Sequence, residues 1–258
     1  MDEFRLLLNR LLNNKCGIYA SVCEGFVTMK FEVSLSRGTL IKRYKRFLAD
    51  IELPDGTIVV AHCANSGSMK GLKEPGSPVY LSPNQNPKAK LDWRWEMIDV
   101  GTSLVGINTS RPNHIVEDAI KDGTITELQG FESLRREVRY GQNSRIDILL
   151  EGPGVCYVEV KSVTLRVGDQ AMFPDAVTSR GTKHLHELIG MLKEGHRAVM
   201  VYLVQRSDCK SFAPAEEIDP TYANALREAV KAGVELLCYA CELSVDGIEV
   251  TGTLPIQI

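Results

Sequence analysis

From Gly38 onward, apolar and polar positions alternate with the period of β-strands. Phe47 to Leu53 alternates, Pro54-Asp55-Gly56 supplies a turn and Thr57 to His62 returns, so the spacing predicts a hairpin. Loop chemistry follows at Asn65-Ser66-Gly67-Ser68 and Glu74-Pro75-Gly76-Ser77-Pro78, then short strand-like runs at Val79 to Ser82, Trp93 to Val100 and Ser103 to Ile107. Five short strands within about 70 residues suit a small closed barrel, the oligonucleotide-binding (OB) type among them.

After Arg111-Pro112 the periodicity turns helical. Ile115, Ala119 and Ile120 share one face, and Asn113 is placed to cap the helix. The pattern then predicts a strand or helix end at Glu137 to Tyr140, a hairpin from Arg145 to Val163, a helix over 179–193, a strand over 198–204, a helix over 220–231 and a strand over 234–243. The expected architecture is mixed α/β (α+β) in two domains, a barrel over 37–110 and a sheet-cored domain over 111–258. Residues 1–36 show no consistent pattern and read as an extension of uncertain order.

At 258 residues with 44% hydrophobic and 24% charged positions, the chain can bury one large core or two modest ones. The net charge of −3 announces no polyanion partner, but the charge is unevenly placed. Residues 37–100 carry ten Lys/Arg against seven Asp/Glu, and residues 101–258 carry sixteen against twenty-two. A basic module joined to an acidic one suits a polyanion-binding half and a carboxylate-lined half, although such imbalance is also common on solvated faces. The seven cysteines, at 16, 23, 63, 156, 209, 238 and 241, have no paired spacing and read as reduced thiols of the cytoplasm; Cys238-Tyr-Ala-Cys241 reads as core packing. No run approaches the roughly 18 apolar residues of a membrane span, so no membrane partner is expected. The oligomeric state is left open, a homo-oligomer included.

The chemistry sits in the hairpin. Arg145-Ile-Asp147-Ile-Leu-Leu150 and Val155-Cys-Tyr-Val-Glu159-Val-Lys161-Ser-Val163 are apolar strands interrupted by charge around a Glu151-Gly-Pro-Gly154 turn. Side chains alternate along a strand, so Glu159 and Lys161 project from one face while Val158 and Val160 take the other. An odd-numbered loop sets Asp147 opposite Glu159. Two facing carboxylates repel by up to about 1 kcal/mol, and a divalent cation reverses that sign. Hard cations such as Mg²⁺ or Mn²⁺ favour carboxylate and carbonyl oxygens, so Asp147, Glu159 and the Val160 carbonyl form a candidate metal set. Lys161 would steady charge on an attacked phosphate. The plainer reading is a Lys161 ion pair on a solvated sheet face.

Lys42-Arg43-Tyr44-Lys45-Arg46-Phe47 places four cations around two aromatics, which suits phosphate contacts and base stacking, or an ordinary basic strand edge. Lys88, Lys90, Trp93, Arg94 and Trp95 form a second such cluster. Asn65-Ser66-Gly67-Ser68 could turn backbone N–H groups toward an anion, though such a loop is usually a plain turn. Arg180, His184 and Glu187 share one face of the later helix, either near a phosphate or in solvent, the latter being the commoner outcome.

An Asp before a glycine turn, followed by Glu159-Val-Lys161 in a valine-flanked strand, resembles the PD-(D/E)XK nuclease superfamily. That superfamily often adds a preceding acidic residue, which makes Glu137 a further catalytic candidate. A closer resemblance runs from about Gly38 to the C-terminus. Thr39 to Asp50, His62-Cys-Ala-Asn-Ser-Gly-Ser-Met69, Pro87-Lys-Ala-Lys90, Trp95-Glu96, Ser144-Arg-Ile-Asp147, Tyr157 to Leu165 and Phe173 to Thr178 are similar to the sugar fermentation stimulation protein A family. The resemblance implies an OB-like barrel followed by a restriction-endonuclease-like α/β domain. It implies DNA as partner, metal-site positions at Asp147, Glu159 and Lys161, and a link to sugar catabolism genes. Three functions compete: a DNA-binding regulator, an active metal-dependent nuclease and, through Trp93 and Trp95, an oligosaccharide binder.

Overall fold

The structure, a computed structural model, describes residues 29–141 and 144–258. The extension expected over 1–36 therefore lies outside the described residues up to position 28.

The first half runs β1 (Met29–Lys30), β2 (Ser36–Tyr44), β3 (Leu48–Glu52), β4 (Ile58–His62), β5 (Pro78–Pro83), β6 (Trp93–Asp99) and β7 (Leu104–Gly106). Strands β2 to β6 close into a ring in the order β4-β3-β2-β5-β6, because β6 pairs back onto β4 in parallel through Ala61↔Trp93 and His62↔Arg94. Alternation fills the ring: Ala49, Ile51, Ala61, Leu81 and Trp95 point inward and are fully buried. The barrel's first strand is the basic Ser36–Tyr44 segment, not one of the five runs read from the sequence. A register shift between Leu40 and Lys42 breaks its alternation, which is why the pattern hides it. The run expected at Ser103 to Ile107 is instead the edge strand β7, hydrogen-bonded only to β6 within this sheet. Trp95 is buried with its indole N–H donated to the Met97 carbonyl, which removes it from any stacking surface.

The second half comprises α1 (Pro112–Lys121), β8 (Ser133–Tyr140), β9 (Ser144–Glu151), β10 (Val155–Val163), β11 (Leu165–Val167), β12 (Gln170–Phe173), α2 (Ser179–Lys193), β13 (Arg197–Val204), β14 (Ser211–Pro214), α3 (Pro220–Ala232), β15 (Glu235–Leu243) and β16 (Gly247–Thr253). The main sheet has the order β1-β16-β15-β13-β10-β9-β8, with β10, β13 and β15 parallel at its centre. Central strands buried on both faces need continuous apolar runs, and Ala198 to Val204 is one. Helix α1 covers one face through Ile115, Val116, Ala119 and Ile120. Helices α2 and α3 cover the other through Leu185, Leu188, Leu226 and Ala229. Thr178 caps α2 by accepting from the Gly181 N–H, and Asp219 caps α3 by accepting from the Tyr222 N–H. Cys238 and Cys241 fall in opposite core layers because they lie three residues apart on an alternating strand, and burial pushes the Cys238 thiol up to about 12. They are packing residues.

Met29 and Lys30 add an antiparallel edge strand to β16, so the segment ahead of the barrel is tied to the sheet of the other half. Across the same junction, Glu96 of β6 is 2% exposed and held by Arg111, which immediately precedes α1, and by Ser82 and Asn108. Burial opposes its charge, but these partners more than offset it and leave its carboxyl below the usual range.

Candidate metal centre

The turn between β9 and β10 is a three-residue loop, since Glu151 pairs with Val155, and the register continues to Ile148↔Val158. Ladder pairing stops there. On the other side of β9, pairing with β8 skips residues 137 and 147, and Glu137 adopts φ +54°. The consequence is visible in the packing: Leu134, Ile148 and Leu150 pack into the α1 layer, whereas Val138 and Ile146 pack into the α2 layer. Both strands change face at this point, so Asp147 sits at a break rather than on a continuous pleat.

The break has a use. Where β9 leaves β10, the Val160 N–H loses its strand partner and donates instead to Asp147 Oδ2 at 2.8 Å. Asn113, in the first turn of α1, donates to Asp147 Oδ1 at 2.8 Å and to Glu137 Oε1 at 3.3 Å. The expected capping role of Asn113 is thus corrected: Arg111 stands at the N-cap without a side-chain cap bond, and the Asn113 amide serves the carboxylates. Burial raises the Asp147 carboxyl and the nearby Glu159 charge raises it further; Lys161, Val160 and Asn113 pull it back only to about 6.

Glu159 faces α2. It is 1% exposed, and its Oε1 accepts from Lys161 Nζ at 2.6 Å and contacts His184 Nδ1. Burial acts against its charge, yet Lys161 and His184 outweigh burial and hold it below the usual carboxylate range. Its Oε2 is buried with no hydrogen-bond partner among the described residues. A buried ionised oxygen without a donor is a costly arrangement that a bound cation would relieve. Among the described residues, no group of three or more His, Cys, Asp or Glu is arranged to hold a metal, so any ion here relies on two carboxylates and backbone oxygen.

Asp147, Glu159, Val160 and Lys161 line one cleft of ≈420 Å³ between the two halves of the molecule. The barrel contributes Asn65, Ser66 and Gly67, and the loop after β12 contributes Asp175 and Val177. These loops are locked together: Asp175 Oδ2 accepts from the Met69 N–H at 3.0 Å, and Ser68 Oγ donates to the Asp175 carbonyl at 2.7 Å. A Cβ on Gly67 would lie 2.6 Å from Asp175 Oδ2, so only glycine fits. The anion met by this loop's backbone is a carboxylate of the protein itself.

The remaining sequence candidates are dispersed. Glu137 is exposed and does not line the cleft; it reaches the site only through Asn113. Of the residues named for nucleic acid, Arg180 alone lines the cleft. Arg43 spends its guanidinium on the Asn65, Gly67 and Arg46 carbonyls and so braces the cleft loop from behind. Lys42 pairs with Asp50 at 3.3 Å and lies over the Tyr44 ring, while Tyr44 donates to Asp50. Lys45 and Arg46 form the exposed β2–β3 turn with φ of 48° and 64°. Lys88 and Lys90 are exposed in the β5–β6 loop, whereas Trp93 and Arg94 are half-buried. The face of α2 bearing Arg180, His184 and Glu187 is only partly solvated: His184 is 4% exposed and Glu187 half-buried, while Arg180 is exposed and its Nε donates to His184 Nε2 at 3.3 Å. A buried helical histidine opposite a charged strand was the signal that sequence reasoning underused.

Comparison with known proteins bears on both halves. The family model described as the Sugar fermentation stimulation protein RE domain matches residues 110–247, and the SfsA N-terminal OB domain matches residues 41–107. A sugar fermentation stimulation protein homolog of Paramagnetospirillum magneticum is 56% identical over 89% of this chain and 98% of its own length. One from Geobacter sulfurreducens is 54% identical over 86% of this chain and 96% of its own. The structure of Pyrococcus furiosus SfsA in complex with Ca²⁺ superposes with a TM-score of 0.84 at 29% identity, covering 91% of this chain and all of that one.

Proposed function

The chain belongs to the sugar fermentation stimulation protein family, and from that premise we propose that it is a DNA-binding protein whose interdomain cleft holds a divalent cation on Asp147, Glu159 and the Val160 carbonyl. The observation that carries this reading is the buried, unpartnered Oε2 of Glu159 beside Asp147 in an open cleft. The Ca²⁺ held by the Pyrococcus relative supports a hard-cation site, and Mg²⁺ or Mn²⁺ is the ion we assign here.

The DNA path uses the outer face of β2, β3 and β4. Their register sets Tyr44, Leu48 and His62 in one row and Lys42, Asp50 and Val60 in the next. Phe47 stacks on His62 with ring centroids 6.4 Å apart, beside the Lys45-Arg46 turn. Two non-glycine residues held at positive φ are strained by roughly 1–3 kcal/mol each, and strain of that kind clusters at functional turns. Cations project there next to aromatic faces, as phosphate and base contacts require. With Trp95 buried, the oligosaccharide reading loses its paired tryptophans.

A second reading, metal-dependent phosphodiester cleavage, is favoured by Lys161. Its side chain is only 12% exposed and its ammonium is bonded to the Glu159 oxygen that would not meet the ion, so it is placed to hold charge on a phosphate entering the cleft. A divalent cation, when bound, supplies Lewis-acid stabilisation and an activated water. Asp147 and Glu159 orient the ion, and Arg180 at the cleft wall meets the phosphate. A regulator of sugar catabolism genes, which the family's name suggests, would use the same cleft without turnover, in the cytoplasm where the buried thiols stay reduced.

The test is incubation of the protein with single-stranded, duplex and branched DNA, with and without Mg²⁺ or Mn²⁺, beside Lys161→Ala. Cation-dependent cutting lost in the variant establishes the nuclease. Binding without cutting establishes the non-catalytic DNA-binding reading, and failure to bind any DNA refutes both.

A further inference from the structure

We infer that His184 is a positioning residue: fixed by Arg180 in one tautomer, it pins Oε1 of Glu159 so that Oε2 is the oxygen left for the cation. The inference rests on the metal reading above and extends it to a residue outside the Asp-Glu-Lys set.

The hydrogen-bond pattern decides the tautomer. Arg180 Nε–H is a donor under all conditions, and it points at His184 Nε2 at 3.3 Å, so Nε2 must supply the lone pair. The other ring nitrogen, Nδ1, then carries the proton, and it faces a carboxylate oxygen, Glu159 Oε1. The alternative neutral ring would set a lone pair against Glu159 Oε1. Lys161 Nζ also lies 3.3 Å from Nδ1 but donates to Glu159 Oε1 at 2.6 Å, so the Nδ1–H form is the one that serves the Arg180 and Glu159 contacts together.

Two donors therefore converge on one oxygen of Glu159, His184 Nδ1 from α2 and Lys161 Nζ at 2.6 Å from the same strand. Oε1 takes both, and Oε2 has no donor among the described residues. An imidazole is stiffer than the lysine stem and is buried at 4% exposure, so the ring fixes the carboxylate plane while Lys161 stays available to a phosphate. Protein groups that orient a metal ligand from behind typically contribute ten- to a hundredfold in metal affinity. His184 fills that role for Glu159 as Asn113 and the Val160 N–H do for Asp147.

The test is Mn²⁺ affinity by electron paramagnetic resonance for the wild-type protein, Glu159→Gln, His184→Ala and His184→Asn, with circular dichroism as a check that each is folded. The asparagine amide offers an N–H near the Nδ1 position. We expect Glu159→Gln to abolish the site, His184→Ala to weaken it about ten- to a hundredfold and His184→Asn to recover most of the loss. If wild type binds Mn²⁺ through Glu159 and folded His184→Ala binds equally well, or the two histidine variants are equally impaired, the positioning role is wrong while the metal reading stands. If wild type binds no Mn²⁺, the metal reading falls and takes the inference with it. Nitrogen spectra of isotope-labelled histidine need no variant: the Nδ1–H tautomer at His184 supports the assignment, and the Nε2–H tautomer overturns it.

Discussion

Replacing Asp147 by asparagine should stabilise the metal-free protein at neutral pH, although it removes two charge-assisted hydrogen bonds. The Asp147 carboxyl is raised from 3.8 to about 6 by burial and by the Glu159 charge. Below pH 4 the group is protonated in the folded and unfolded chains alike and contributes nothing. Between about 4 and 6 the native state keeps a proton that the unfolded chain releases, so stability falls as pH rises, and above 6 the whole penalty applies. Two pKa units correspond to about 3 kcal/mol. That penalty is already net of the bonds from Val160 and Asn113; against it stands only the rearrangement by which Asn113 turns its amide to offer an oxygen to the new N–H, about 1 kcal/mol. The net gain is about 1–2 kcal/mol at pH 7.5, or a few degrees in Tm for a chain of this size. The assay is thermal unfolding of both proteins in chelator at pH 4 and pH 7.5, repeated with Mn²⁺ at the higher pH. Wild type should gain stability from Mn²⁺ and the variant should not, since the ion relieves the repulsion that the substitution has already removed. An Asp147→Asn protein that is less stable than wild type by about 1 kcal/mol or more in chelator at pH 7.5 would refute the claim that this site is destabilised without a cation.

Lys161→Ala should reduce any cation-dependent cleavage by about a hundredfold or more while leaving duplex affinity within about threefold, read by gel cleavage and fluorescence anisotropy. Lys45→Ala and Arg46→Ala should each weaken DNA binding at every sequence and lower the salt slope by about one, whereas Arg43→Ala should act chiefly on stability, by about 1–3 kcal/mol, because its partners are backbone carbonyls of the cleft loop. Arg111→Met leaves Glu96 buried without its counter-charge, held only by Ser82 and Asn108, and should cost about 3–5 kcal/mol in denaturant unfolding, with the DNA-binding face unaltered.

Much of this molecule was readable from its chain because local signals agree with the packing. The β3–β4 hairpin, the odd-numbered β9–β10 loop and the span of α2 each follow from a turn, a cap or a period that the structure uses unaltered. What the sequence hid depends on distant partners. The small sheet of β11, β12 and β14 exists because Gln170–Phe173 pairs with Ser211–Pro214, some forty positions away, and neither segment alternates strongly. Strand β2 was obscured by its own register shift and by the cations that dominate it.

The site shows the same division. Glu159 and Lys161 share a strand, so their common face follows from a period of two. Asp147 reaches them only because β8 and β9 change face at Glu137 and Asp147, which no spacing rule announces. His184 approaches Glu159 from a helix 25 positions later, and the glycine at 67 is demanded by Asp175 more than a hundred positions away. Residues such as Arg43 and Asn113, read as a phosphate contact and a helix cap, turn out to hold the cleft's own loops and carboxylates.

We propose that Asp147, Glu159 and the Val160 carbonyl hold one divalent cation in the cleft between the barrel and the α/β domain. Crystals soaked in Mn²⁺ and measured near the manganese absorption edge test it directly. A single strong anomalous peak within coordination distance of Glu159 Oε2 and Asp147 is expected; a map with manganese bound elsewhere and none at these carboxylates would contradict the assignment.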